Sequence, residues 1–198
     1  MNLKKLIMGA YFLAFGTAYG QESIWIKQSK LSEVIAFEKA LDSNSKFLSQ
    51  NVSLSKDYYP LFDKYPTGNP FIVQRSLSGF LPVYAEYFYT SSDSMIRLIS
   101  YDWEKDKYGN FFKKQKMWAE ESKKHDSYSK EYERIKSILL PLLGSPTSAD
   151  EKEKTKSAED VQYFTRTTTW ETESIHANLN MIFHPSTYRI RLTLYWKQ

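Results

Sequence analysis

The feature that most constrains this chain is the alternation of its last two apolar segments. Ile175, Ala177, Leu179, Met181 and Phe183 fall on every second position, and so do Tyr188, Ile190, Leu192, Leu194 and Trp196. A period of two puts each set on one face of a β-strand, and a slip of one residue would turn every apolar side chain outward. A turn over His184–Pro185–Ser186–Thr187 sets Phe183 against Tyr188. It also predicts the pairs Met181/Ile190, Leu179/Leu192, Ala177/Leu194 and Ile175/Trp196. A third strand, Val161 to Glu171, precedes them. Closed over Thr172 and Glu173, it would place Trp170 opposite Ile175 and bring Arg166 onto the apolar face near Leu179.

Upstream, Phe71–Gln74, Phe80–Thr90 and Met95–Trp103 are aromatic or β-branched, and the latter two are separated by the turn Ser91–Ser92–Asp93, which predicts a hairpin. Two segments carry helical spacing instead. One runs from Ser32 to Leu48 with a break at Asp42–Ser45. The other runs from Phe111 to Leu140, with Trp118, His125, Tyr132 and Leu139 at seven-residue intervals and Tyr128, Ile135 and Leu142 on the same stripe. Tyr58 to Pro70 contains three prolines and a glycine and reads as irregular chain. Ser145 to Asp160 is charged and poor in apolar residues, so a flexible charged loop is expected at about 145–160. The fold class that follows is α+β: a single antiparallel sheet, made of an N-terminal hairpin and a C-terminal three-strand meander, with the long helix packed on one face.

Residues 1–20 read as a secretory signal peptide. Lys4 and Lys5 precede an apolar run from Leu6 to Ala18, which ends at Ala18–Tyr19–Gly20. Interrupted by Gly9, Gly16 and Thr17, that run is shorter than the roughly 20 apolar residues a membrane-spanning helix needs. The expectation is an exported protein, periplasmic or extracellular, in which 21–198 form a single α+β domain with no transmembrane segment after cleavage. The chain has no cysteine, so it holds neither disulfide nor thiol nucleophile. Loss of Lys4 and Lys5 would halve the formal charge of +4, which is no footprint for nucleic acid.

Signatures of catalysis are sparse. Ser76–Leu77–Ser78–Gly79 lacks the glycine of a nucleophile elbow, and there is neither a zinc-binding His-Glu-x-x-His string nor a phosphate-cradling glycine loop. Asp102, Glu104 and Asp106 resemble a calcium loop in composition, but Gly109 comes two places late and Lys113 stands where the closing glutamate belongs. Glu121 and His125 share a helix face, yet two ligands do not make a metal site. No catalytic residue, metal or cofactor is therefore assigned.

What remains is the polar face of the C-terminal sheet. Thr167, Thr169, His176, Asn178, Asn180, Arg189, Arg191 and Tyr195 point away from the apolar side. In the anticipated register His176 lies between Thr169 and Tyr195, and Asn180 between Thr165 and Arg191. Hydroxyls, amides and two guanidiniums on one surface suit a carboxylate, a sugar or a partner protein. The reading is a non-catalytic binding or accessory protein for a polymer, a small ligand or an envelope protein. The alternative is an extracytoplasmic hydrolase that draws carboxylates from separated positions such as Asp102 and Glu171.

Overall fold

A computed structural model describes residues 24–76, 79–158 and 161–198, so the leader expected over 1–20 lies outside the described residues. The elements, in chain order, are α1 (Leu31–Leu41), β1 (Lys46–Leu48), β2 (Phe71–Arg75), β3 (Val83–Tyr89), β4 (Ile96–Trp103), α2 (Phe111–Glu121), a 3₁₀ turn (Ser122–Lys124), α3 (His125–Leu143), β5 (Ser148–Ala149), β6 (Lys154–Ala158), β7 (Val161–Glu171), β8 (Ile175–His184) and β9 (Thr187–Trp196). The class is α+β. Nine strands pair antiparallel in the order β1-β2-β3-β4-β9-β8-β7-β5, and β6 also pairs with β7.

The β8–β9 hairpin has the register that alternation dictates, with Ile175 opposite Trp196, Leu179 opposite Leu192 and Met181 opposite Ile190. His184 also pairs with Thr187, so the turn is tighter than expected, with Pro185 and Ser186 alone at its tip. Leu179, Met181, Ile190 and Leu192 are all fully buried. The β7–β8 hairpin differs by two residues: Trp170 faces Ala177 rather than Ile175, and Glu171 faces His176. The cause is a longer loop, which Thr172 closes through its own N–H to Ile175 O (2.9 Å) and by accepting Ile175 N–H at its Oγ1 (2.9 Å). A two-residue shift preserves the faces, so Arg166 still lies on the apolar side, opposite Met181. Its guanidinium is accommodated at the edge, over the Tyr132 ring, donating to the Asp150 and Glu151 carbonyls.

That edge is where the segment read as a structureless loop lies. Ser148 and Ala149 pair with Thr169 and Thr168, and β6 runs from Lys154 opposite Thr165 to Ala158 opposite Val161. Apolar burial does not order these residues. Backbone groups left open along β7 do, helped by the Asp150 carboxylate, which accepts Thr167 N–H at 3.0 Å.

The long helix is divided. Each residue of the 3₁₀ turn advances roughly 120° rather than about 100°, which breaks the seven-residue phase. The stripe therefore holds through the buried Tyr128, Tyr132, Ile135 and Leu139 and fails at its ends, where Phe111 and Leu142 are 51% and 45% exposed. The N-terminal helix ends at Leu41, and Lys46–Leu48 form an edge strand. The Asp42 carboxylate turns the chain there by accepting from Asn44 N–H, Ser45 Oγ and the β2-end residue Ser76. On this side of the sheet Glu38 and Arg75, both essentially without solvent exposure, form a two-toothed ion pair at 2.7 and 3.0 Å.

The opposite side of the sheet is only partly open. Val52, Leu54, Leu61, Phe62 and Tyr65 from the irregular chain before β2 pack with buried Tyr59 against Phe88, Leu98 and Tyr195. This strap carries almost no regular structure, but it supplies the wall of the site described next.

Candidate functional site

Between the strap and the outer face of β3, β4 and β9 lies a cavity of about 550 Å³. Its apolar wall is Val52, Leu54 and Tyr58 on the strap and Phe88 on β3, and its charged floor rises from three strands, the loop after β4 and Lys114 of α2.

The floor begins with a pair of buried carboxylates. Glu86 on β3 sits among Tyr84, Tyr87 and Phe88, and Asp102 on β4 lies between Tyr101 and Trp103. Ser100 lies opposite Glu86 in the ladder, and Arg191 lies opposite Asp102. A single ammonium, Lys107 Nζ, sits 2.5 Å from both carboxylates. Asp102 also accepts from Arg191 Nε at 2.5 Å and from Ser100 Oγ at 3.1 Å. Burial pushes the Asp102 carboxyl up, but the Arg191 and Lys107 charges outweigh it and hold the group below the usual carboxylate range. Burial alone would lower Arg191; the facing Asp102 reverses that and locks the guanidinium in its charged form. Tyr108 completes the cluster by donating to Glu86 (2.5 Å), and burial followed by this bond pushes its hydroxyl well up. Nearby, Lys114 Nζ contacts buried Glu104 at 2.5 Å.

The loop that delivers Lys107 and Tyr108 is tightly folded. Asp106 has φ 54°, and its carboxylate packs so closely on Gly109 that a side chain there would meet it at 2.2 Å and displace it. The Asp106 Oδ2 atom lies 2.7 Å from Lys113 Nζ, though its geometry is too poor for a hydrogen bond. Asp102, Glu104 and Asp106, whose spacing resembles a cation loop, are thus each matched to a lysine.

One cation is left over. Arg189 lines the cavity two residues before Arg191 on β9, and its Nε is buried with no hydrogen-bond partner among the described residues. Burial, and then the like charge of Arg191, lower its affinity for its proton, whereas Asp102 and Glu104 act the other way more weakly. Glu86 and Glu104 on the floor, with Asp102 buried beneath it, thus set three carboxylates against four cations, Lys107, Lys114, Arg189 and Arg191. Arg189 is only half-buried, but a guanidinium nitrogen that is itself buried without an acceptor is costly unless something supplies a partner and counter-charge.

Of the eight residues that sequence reasoning nominated, Arg189 and Arg191 reach this cavity. The other six are engaged with neighbours. Asn180 lies between Thr167 and Arg191, not Thr165 and Arg191, and its Nδ2 donates to Thr167 Oγ1 at 3.0 Å. Asn178 Nδ2 donates to Thr169 Oγ1 at 3.0 Å. His176 lies between Glu171 and Tyr195, pairs with the Glu171 carboxylate and stacks on the Tyr195 ring at 4.9 Å. Tyr195 meets Tyr59 edge-on beneath the strap. Glu121 and His125 go to separate partners, Glu121 to Lys105 and Lys124 and His125 to Glu153. Asp102 and Glu171, offered as a catalytic pair, stand on β4 and β7, three strand spacings apart, and Glu171 lies four residues along β7 from Thr167, the position level with Asp102, so they are roughly 19 Å apart.

Sequence reasoning missed Glu86, Lys107, Tyr108 and Tyr58. A usable signal existed for Glu86 and Asp102, since a carboxylate flanked by large aromatic residues inside a strand is a buried polar group that demands partners. None existed for Tyr58, because nothing in the strap's composition says which face it crosses. Comparison with known family models, curated proteins and solved structures finds no match for this chain.

Proposed function

We propose that the chain is an exported, non-catalytic binding protein whose cavity takes a small organic anion, with a carboxylate seated on Arg189 and an apolar portion against Val52, Leu54 and Phe88. The observation that carries this reading is the buried, unpartnered Arg189 Nε beside Arg191, whose own charge is already spent on Asp102. A carboxylate supplies the missing acceptor and charge together, and planar two-point contact with a guanidinium makes such pairs selective. The hydrolase alternative has less behind it. A general acid needs a raised pKa, and Asp102 is shifted the other way. Export belongs to the proposal and rests on the lysine-led apolar run over 1–20. We further propose that 21–198 act as one α+β unit, since the β4–β9 ladder joins its two halves.

A thermal-shift screen of mono- and dicarboxylates bearing short apolar groups tests the reading. Binders should raise the melting temperature of the wild type and not that of Arg189→Gln. A screen in which no carboxylate stabilises the protein, or in which Arg189→Gln responds equally, would remove the proposal. N-terminal sequencing of protein recovered from its host should begin at Gln21; Met1 would remove the export claim.

A further inference from the structure

We infer that the start of α2 is a docking surface for an anionic lipid bilayer. Phe111 and Phe112 are 51% and 69% exposed, adjacent, and in ring contact with each other at 6.0 Å. No other two neighbouring large apolar residues among the described residues are both so exposed. Such a pair costs solubility and contributes little to the core.

The charges around the pair carry a second anomaly. A helix N-terminus is the positive end of the dipole and favours acidic residues, yet the first turn of α2 contains none. Instead Phe111 and Phe112 are followed at once by Lys113, Lys114 and Lys116. Lys114 turns inward to Glu104; Lys113, with its side chain 64% exposed, is matched by Asp106 at 2.7 Å, and Lys116, one turn on from Phe112, faces solvent. Cations placed against the dipole beside bare aromatic rings make sense opposite a surface that is negative on top and apolar beneath, which describes an anionic bilayer.

Area decides between a bilayer and a protein partner. Two phenylalanines bury at most roughly 150–250 Å² each, well below the approximately 800 Å² per partner of a stable protein interface. A bilayer needs no matching footprint: inserted rings and nearby lysines act together through depth and charge.

The test is flotation of the protein, purified as its host processes it, with vesicles of phosphatidylcholine alone or of phosphatidylcholine with one part in three phosphatidylglycerol. The expected result is binding to the anionic vesicles and little to the neutral ones. Binding should fall at least tenfold in Phe111→Ser/Phe112→Ser and several-fold in Lys116→Glu. Leu142→Ser, which removes another exposed apolar side chain at the far end of the helical stretch, should bind as wild type. Unchanged melting temperatures would exclude misfolding as the cause of any loss. Equal binding to neutral and anionic vesicles, retention by the double serine variant, or self-association that the same variant abolishes would each overturn the inference.

Discussion

Asp102 and Arg191 stand directly opposite each other on β4 and β9, and the Arg191 Nε lies 2.5 Å from a carboxylate that has no solvent exposure. This cross-strand pair sits at the junction of the two halves of the sheet, with Arg191 in the floor of the cavity and Asp102 beneath it. It is both a structural tie and the reason Arg191 is not free to serve a ligand alone.

Asp102→Asn leaves Arg191 and Lys107 without a shared counter-charge in a buried setting, although Lys107 keeps Glu86. The expected cost is about 3 kcal/mol or more, read as a lower urea midpoint with an unchanged denaturant slope. A loss well under 1 kcal/mol would mean the pair is far better solvated than its burial implies.

Glu38 and Arg75 allow a cleaner measurement, because both are buried on the helix side, remote from the cavity. Glu38→Gln should cost about 3–5 kcal/mol. The double variant Glu38→Leu/Arg75→Met should be less destabilised than the two single changes combined, since the larger share of each single loss is a stranded charge. Strict additivity of the singles would contradict this.

Acid sensitivity has a named contributor in Asp42. The Ser76 hydroxyl bond lowers its carboxyl to about 2 from 3.8, against burial and with help from the Ser76 and Asn44 amides and the Ser45 hydroxyl. A folded-state pKa below the unfolded one gives stability that is complete above about pH 4 and lost as pH falls towards about 2. Asp42→Asn should therefore be less stable than wild type at pH 7, with the gap closing by about pH 2. A gap independent of pH would show that the carboxylate charge is irrelevant there.

Arg189 should display a conflict between stability and binding. With its Nε buried and unpartnered, Arg189→Met should raise unliganded stability by roughly 1 kcal/mol while abolishing anion binding. Chemical denaturation with and without a bound carboxylate separates the two effects.

Much of this arrangement was legible in the residues, and the boundary is physical. Alternation from Ile175 to Trp196 determined the β8–β9 register because burial on one face penalises every other pairing. Turn length between β7 and β8 was not legible, since a two-residue slip keeps all faces and leaves hydrophobic pattern silent. β5 and β6 escaped because their order derives from open backbone groups on β7 rather than from their own apolar content. Arg189 and Arg191 were correctly placed on the outer face, but the cavity they serve depends on the strap around Tyr59, whose path is settled by distant contacts with Phe88, Leu98 and Tyr195.

On the proposed reading Arg189, not the threonine and asparagine rows of β7 and β8, meets the ligand. Arginine-selective NMR of the side-chain Nε–H groups during titration with the tightest carboxylate from the screen tests it most directly. The expected result is a large, saturable shift of the Arg189 Nε–H signal, a smaller one for Arg191, and stationary side-chain amides at Asn178 and Asn180. Movement of the Asn178 and Asn180 amides with a static Arg189 signal would contradict it.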